Sequence, residues 1–346
     1  MTKAYILSRR ESVEPIQGVS VAGESFRDDD LSGMAFYNVD FAATHFAGGS
    51  LKDSMFSHCA FKNADFRGID MSGVRFNNCD FSQSEFQACT LGEADFSESN
   101  LCGALFSECN LEKIQITNCD ASGICLKNQR LTDAYVVDST LTKADFSGAT
   151  IAGSIFLTLD MRECVLSDIT MKDVALSGCN LSGHDFSGLD LSGCQFNEAI
   201  LNEVDFSSCK LTMCNFSDSK ISNTNFAEAD ARNGVFIKAD IHETVFSNAK
   251  LSQSMWNGAV VYHSNFGGAH IGMGGFSKSS FEKCYFVQTD LQYADFSYAV
   301  LNDCNFDDVT LNSTRFHRAV TTSDVKSRVG AIEKDEELFN AELWNV

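Results

Sequence analysis

Proline occurs once in 346 residues, at Pro15. The chain therefore lacks the proline-marked linkers that usually separate domains, although its length alone would suggest two. Cations are scarce as well: 26 Lys and Arg face 47 Asp and Glu, for a net charge of −21. Direct binding to nucleic-acid phosphates needs clustered Lys and Arg and is not expected. Two meanings of the acidity stay open, solubility of an elongated particle or a surface that imitates a polyanion. No apolar run could span a bilayer, and Ala4 to Leu7, beside Lys3, Arg9 and Arg10, is too brief for a secretory signal. The expectation is a cytoplasmic protein without membrane contact. Nucleophile elbows, His-Glu-x-x-His helices, P-loops and Cys-x-x-Cys pairs are all missing. Gly267 to Gly272 is glycine-dense but opens no helix, and the seven histidines are scattered. No catalytic residue, metal or cofactor is assigned.

What the chain has is a period. From Phe26 to Phe316 every fifth residue is apolar, 59 positions without a change of phase. Phe339 apart, all 29 phenylalanines lie on it. An α-helix would smear a five-residue stripe around its axis, and a plain strand alternates with period two. The pattern instead demands a corner every five residues. The typical unit reads small, Asp or Asn, bulky apolar, Ser, then Gly or a polar residue, as in Ala144-Asp145-Phe146-Ser147-Gly148. One small and one bulky side chain point in, three point out, and Ser, Gly and Asn supply the turn chemistry.

Fourteen cysteines resemble a disulfide framework until they are placed on this unit. Twelve of them sit two residues before an apolar centre, where Ala64, Ser84 and Ser154 stand elsewhere. Cysteine is thus a small buried side chain, suited to a reducing compartment. A second rhythm overlays the first: 24 of the 30 centres ending in 6 are Phe, while 15 of the 29 ending in 1 are Leu. Rings and branched aliphatics on alternate sides let a narrow core interlock.

These units resemble the A(D/N)Lxx motif of the pentapeptide-repeat family, over about 290 of the 346 residues. The resemblance implies an all-β fold, a right-handed quadrilateral parallel β-helix with four pentapeptides per coil, closed by a short C-terminal helix. Nearly fifteen coils about 4.8 Å apart would make a rod roughly 70 Å long. The expected organisation is an N-terminal cap over 1–20, the repeat β-helix over 21–318, and a linker with a capping or docking helix over 319–346. Tyr5 to Leu7 is expected as a strand over the first rung, with Ile16 opening a degenerate first coil. Thr321 to Gly330 reads as linker and Ala331 to Trp344 as an acidic helix. Around Ile114 to Val136 the centres shrink, Gln129 fills a small inward slot, and Cys102 and Cys125 leave the phase. An imperfect coil and a functional notch are both open there. His184, also inward, is expected as a hydrogen-bonded core residue.

Charge thins in one place. Residues 251–300 hold three acids and two bases, against seven acids in each of the two preceding fifties. Outward positions there include Met255, Val260, Tyr262, Met273, Tyr285, Val287, Tyr293 and Tyr298, and a coil of 20 residues would stack Met273 on Tyr293. Exposed Tyr and Met without charge is interface chemistry, with drift in a tolerant repeat as the alternative. Leu338, Phe339, Leu343 and Trp344 add more apolar surface than one cap requires. The expected function is a non-enzymatic scaffold for protein partners, with dimerisation or docking through the C-terminal helix. The resemblance extends this to a bacterial secretion setting, reached by a signal-independent route. It also supplies an alternative, an acidic DNA mimic that binds a type II topoisomerase, as in the quinolone-resistance branch.

Overall fold

The computed structural model describes residues 3–12 and 14–343. The chain forms two compact units, Met1–Ala175 and Leu176–Val346. Each unit is a parallel β-helix wound in coils of four walls. The twenty-residue coil is written in the pairing: Phe36 lies beside Phe56 and Val136 beside Phe156 in the first unit, Ile221 beside Ile241 in the second. The first unit carries an eight-stranded parallel wall from Ile16–Gln17 to Ile155–Leu157, with three further strands from Arg130–Thr132 to Thr170–Lys172 on another wall. In the second unit the long ladder runs from Lys220–Ser222 to Val320–Thr321.

The corners follow from one backbone requirement. At the second residue after a centre φ is positive, as at Asp28 (59°), Asn118 (53°) and Glu228 (60°), with Glu163 after Met161 as the exception. A left-handed residue other than glycine costs about 1–2 kcal/mol, so each corner needs support. The corner N–H reaches a carbonyl of the next coil: Asp28 to Ala47 at 3.0 Å and Glu228 to Ser247 at 2.9 Å. Where the residue before the centre is Asp or Asn, it supplies a second tie. Its side-chain oxygen accepts from the N–H two residues on, Ser82 to Asp80 at 2.9 Å and Ser207 to Asp205 at 2.8 Å. Many of the acids are therefore turn-formers first.

Inside, rings stack on rings one coil apart. Phe26, Phe46, Phe66, Phe86 and Phe106 form a column with centroids 5.6, 5.3, 4.8 and 4.4 Å apart. In the second unit Trp256 takes a place between Phe236, at 4.1 Å, and Phe276, at 5.8 Å, and its indole N–H donates to Ser254 at 2.7 Å. The small slots hold alanine, an aliphatic such as Val74 or Ile124, or a side chain that donates to the preceding coil, such as Ser84 to the Phe61 carbonyl at 2.7 Å and Cys209 to that of Phe186 at 2.8 Å. None of the fourteen cysteines is joined in a disulfide.

The irregular zone keeps this register, with Gln115 beside Tyr135 and Leu105 beside Cys125. Gln129 fits the inward slot because both ends of its amide are paired, accepting from the Cys109 N–H at 3.0 Å and donating to Lys127 at 3.1 Å. It is a packed coil, not a notch. His184 is half-buried beside the Phe186 ring.

Both ends depart from expectation. Tyr5 to Leu7 lies in a helix, α1 (Lys3–Ser8), not a strand. The helix lays fully buried Ile6 on the core, while Lys3 pairs with Asp29 at 2.5 Å and stands over the Phe26 ring. The segment expected as linker is a shortened closing coil. Val320 pairs with Val300, Val325 is fully buried, and Ala331 pairs with Thr314 only seventeen residues back, so 331 and 332 are strand and not helix. Gly330 allows the tight return: its φ is 91°, and a Cβ there would lie 2.2 Å from the Leu311 carbonyl oxygen.

The terminal helix, α2 (Glu336–Leu343), is capped by Asp335, whose Oδ1 accepts from the N–H groups of Glu337 and Leu338 at 3.1 Å each. Glu342 anchors it, accepting from Arg318 Nε at 2.6 Å, from His317 Nε2 at 3.3 Å and from the Tyr298 hydroxyl. Buried His317 accepts the Asp335 N–H at Nδ1, which leaves the proton on Nε2 for Glu342.

Truncating Phe226, stacked on both sides, should cost about 3–5 kcal/mol; urea unfolding of Phe226→Ala checks this, and an unchanged midpoint would contradict the column. The Arg318 and Tyr298 donors hold the Glu342 carboxyl down at about 2, from an ordinary 4.5. A depressed carboxyl stabilises docking above its unfolded value and loses that contribution as pH falls from about 4.5 through about 2. Hydrogen exchange of 336–343, corrected for intrinsic rate, should rise over that window, and Glu342→Gln should flatten the response.

Candidate protein-binding surface

A twenty-residue coil lets each outward residue be assigned to a column. One corner column of the second unit runs Gly193, Met213, Asn233, Gln253, Met273, Tyr293, Ser313, seven successive coils without a charge. Met213, Met273 and Tyr293 are 64%, 59% and 52% exposed. Gln253 Nε2 lies 3.8 Å from the Met273 sulfur, and the Tyr293 hydroxyl accepts from Asn312 at 3.3 Å. Two residues past this corner, Val235 pairs with Met255 and Met255 with Gly275. The result is an apolar ridge of Met213, Val235, Met255, Met273 and Tyr293 on a strongly acidic chain.

Three of the residues expected from sequence thus come together: Met255, Met273 and Tyr293. The others do not join them. Val260 and Tyr262 share one strand on a different wall, where the Lys283 ammonium stands 5.3 Å from the Tyr262 ring. Tyr285 and Val287 flank Phe286 on a third wall. Tyr298 is taken by the chain's own Glu342. In the tail, Leu338 and Phe339 are half-buried, Phe339 lying between the Lys334 ammonium at 3.9 Å and the Arg318 guanidinium at 6.0 Å. Leu343 stays exposed, and Trp344 lies outside the described residues.

Sequence reasoning missed Met213 and Val235, which sit outside the charge-poor window; reading down columns of twenty would have found them. It also missed a block in the first unit. Tyr135 pairs with Ile155 and Val137 with Leu157, so four apolar side chains share one outer wall. Near the other end of that wall, Tyr37 and Met55 line an open groove with Pro15, Ala35 and Arg75. Among the described residues no cluster of His, Cys, Asp and Glu could hold a metal ion, and no helix is long and apolar enough to cross a membrane.

Two family profiles match the chain. The pentapeptide repeat region matches residues 39–116 and 69–146, and pentapeptide repeats (8 copies) match 130–168, 171–207, 199–236, 214–253 and 276–320. No curated protein matches at the sequence level. Among solved structures, the trypsin-treated plasmid-mediated fluoroquinolone resistance protein QnrB1 is 18% identical, with a TM-score of 0.41 over 53% of this chain and 92% of that one. HetL, involved in heterocyst differentiation regulation in the cyanobacterium Nostoc sp. strain PCC 7120, is 15% identical, with a TM-score of 0.29 over 91% and 96%. A pentapeptide repeat protein of the Arabidopsis thaliana thylakoid lumen is 28% identical, with a TM-score of 0.12 over 36% and 68%. With the profiles spread from residue 39 to residue 320 and a corner at each fifth residue, the chain belongs to the pentapeptide-repeat family.

Proposed function

We propose that this protein is a non-enzymatic scaffold that holds a protein partner along the ridge Met213, Val235, Met255, Met273 and Tyr293. The observation that carries the reading is a column with no charge over seven coils, in a chain of net charge −21. Interface cores are depleted in charge and enriched in aromatic residues and methionine, and methionine adapts to a partner's contour. Backbone pairing fixes the spacing of ridge residues at about 4.8 Å per coil, so little ordering entropy is lost on docking. Several aspartates that elsewhere invite a catalytic reading are here engaged by their own turns. Cytoplasmic residence fits the many free thiols, and a bacterial secretion setting is a natural extension.

A second reading, mimicry of duplex DNA toward a type II topoisomerase, draws on the net charge. It has less support, because Asp80, Asp145, Asp205 and their like each give an oxygen to a backbone N–H.

A photo-crosslinking residue at 273 or 293 should capture one and the same protein from a host extract. From position 202, on another wall, that protein should be absent, and Met213→Glu with Tyr293→Glu should reduce its retention by about tenfold or more. Capture that is equal from all three positions would sink the ridge. For the second reading the measurement is gyrase supercoiling with and without a quinolone; no effect at saturating protein ends it.

A further inference from the structure

Cysteines recur in the small inward slot, and in the first unit the register brings two of them together beside solvent. Glu85, Phe86 and Gln87 pair with Leu105, Phe106 and Ser107, so Cys89 and Cys109 stand in one column on adjacent coils. Their thiols point the same way. Cys89 Sγ donates to the carbonyls of Phe66 and Gln87 at 2.7 and 3.5 Å, and Cys109 Sγ to those of Phe86 and Ser107 at 3.3 and 3.4 Å. Paired strands lie about 4.8 Å apart, inside the roughly 4.4–6.8 Å between α-carbons that a disulfide accepts.

Access separates the two sulfurs. Cys89 is buried, while Cys109 is half-buried and lines an open depression with Glu108, Asn110, Glu112, Arg130 and Thr132. Interaction with the stacked Cys89 thiol lowers the Cys109 thiol from its ordinary value, against burial and the Glu108 charge. The same contact, with burial, pushes Cys89 up. One sulfur is thus the better nucleophile and the other a protonated neighbour behind it.

We propose that Cys89 and Cys109 are an oxidant-responsive dithiol site, converted by one equivalent of hydrogen peroxide into a disulfide that ties adjacent coils. The Cys109 thiolate attacks a peroxide oxygen; an S–O bond forms, the O–O bond breaks, and the departing hydroxide is protonated to water. The Cys89 sulfur then attacks the sulfenic sulfur of Cys109. The S–S bond forms, the S–O bond breaks, and the leaving hydroxide takes the Cys89 proton. Two thiols lose two electrons to the peroxide, and two waters leave.

The other thiols lack one of the two requirements. Cys59 with Cys79, Cys194 with Cys214, and Cys284 with Cys304 are stacked pairs with both members buried. Cys102 and Cys125 reach the surface, but serines at 82 and 122, and Leu105 and Asp145, stand in register with them.

The test treats the full chain with one equivalent of hydrogen peroxide, alkylates it under denaturing conditions and maps its peptides without reduction. The Cys89–Cys109 link should be the major disulfide, with Cys59, Cys79, Cys284 and Cys304 still thiols. Serine already fills equivalent slots at Ser84 and Ser99, so Cys89→Ser and Cys109→Ser should keep the native circular dichroism spectrum. Cys89→Ser should leave a sulfenic acid at Cys109 that dimedone captures, and Cys109→Ser should lower oxidation at Cys89 by about tenfold or more. A buried pair linking first, a wild-type chain stopping at the Cys109 sulfenic acid, or no reaction at either residue would overturn the proposal.

Discussion

Every level of this structure depends on a corner that must recur after five residues. The left-handed residue at that corner is unfavourable for most side chains, yet Glu, Asp, Lys, Met and Tyr occupy it as well as glycine. It persists because its N–H is claimed by the following coil and, where an Asp or Asn precedes the centre, because that side chain bridges the turn from the other side. The first tie needs the next coil, while the second lies within the turn itself. Local geometry and long-range pairing are therefore one condition, and the stacked rings inside and the columns outside inherit it.

This explains what could be read in advance. The inward phase, the small slot taken by cysteine and the turn role of Ser, Gly and Asn repeat dozens of times, and each repeat restates the same local physics. The ends do not repeat. Tyr5 to Leu7 has strand-like composition, yet it forms a helix turn that lays Ile6 on the core. Thr321 to Gly330 carries no apolar centre on phase, yet Val325 reaches the core because the closing coil is three residues short.

The candidate surface was legible only in fragments. A linear window of low charge gathered Met255, Val260, Tyr262, Tyr285 and Tyr298, which the winding then distributed over several walls and corners. Proximity on such a fold is counted in twenties, and Met213, some sixty residues before Met273, proved a closer relation in column than Tyr285. Tyr298 could not have been assigned from its own surroundings, because its partner Glu342 comes from the tail.

The pairing of Phe36 with Phe56 and of Ile221 with Ile241 has a genetic corollary. Losing a single codon inside either ladder would rotate everything downstream by part of a wall, putting charged groups where rings belong. Losing or duplicating a full turn of the winding would leave each inner neighbour with a partner of the same kind. Descent in such a lineage should then be punctuated, with gene length changing in whole turns while point substitutions accumulate freely on the outside.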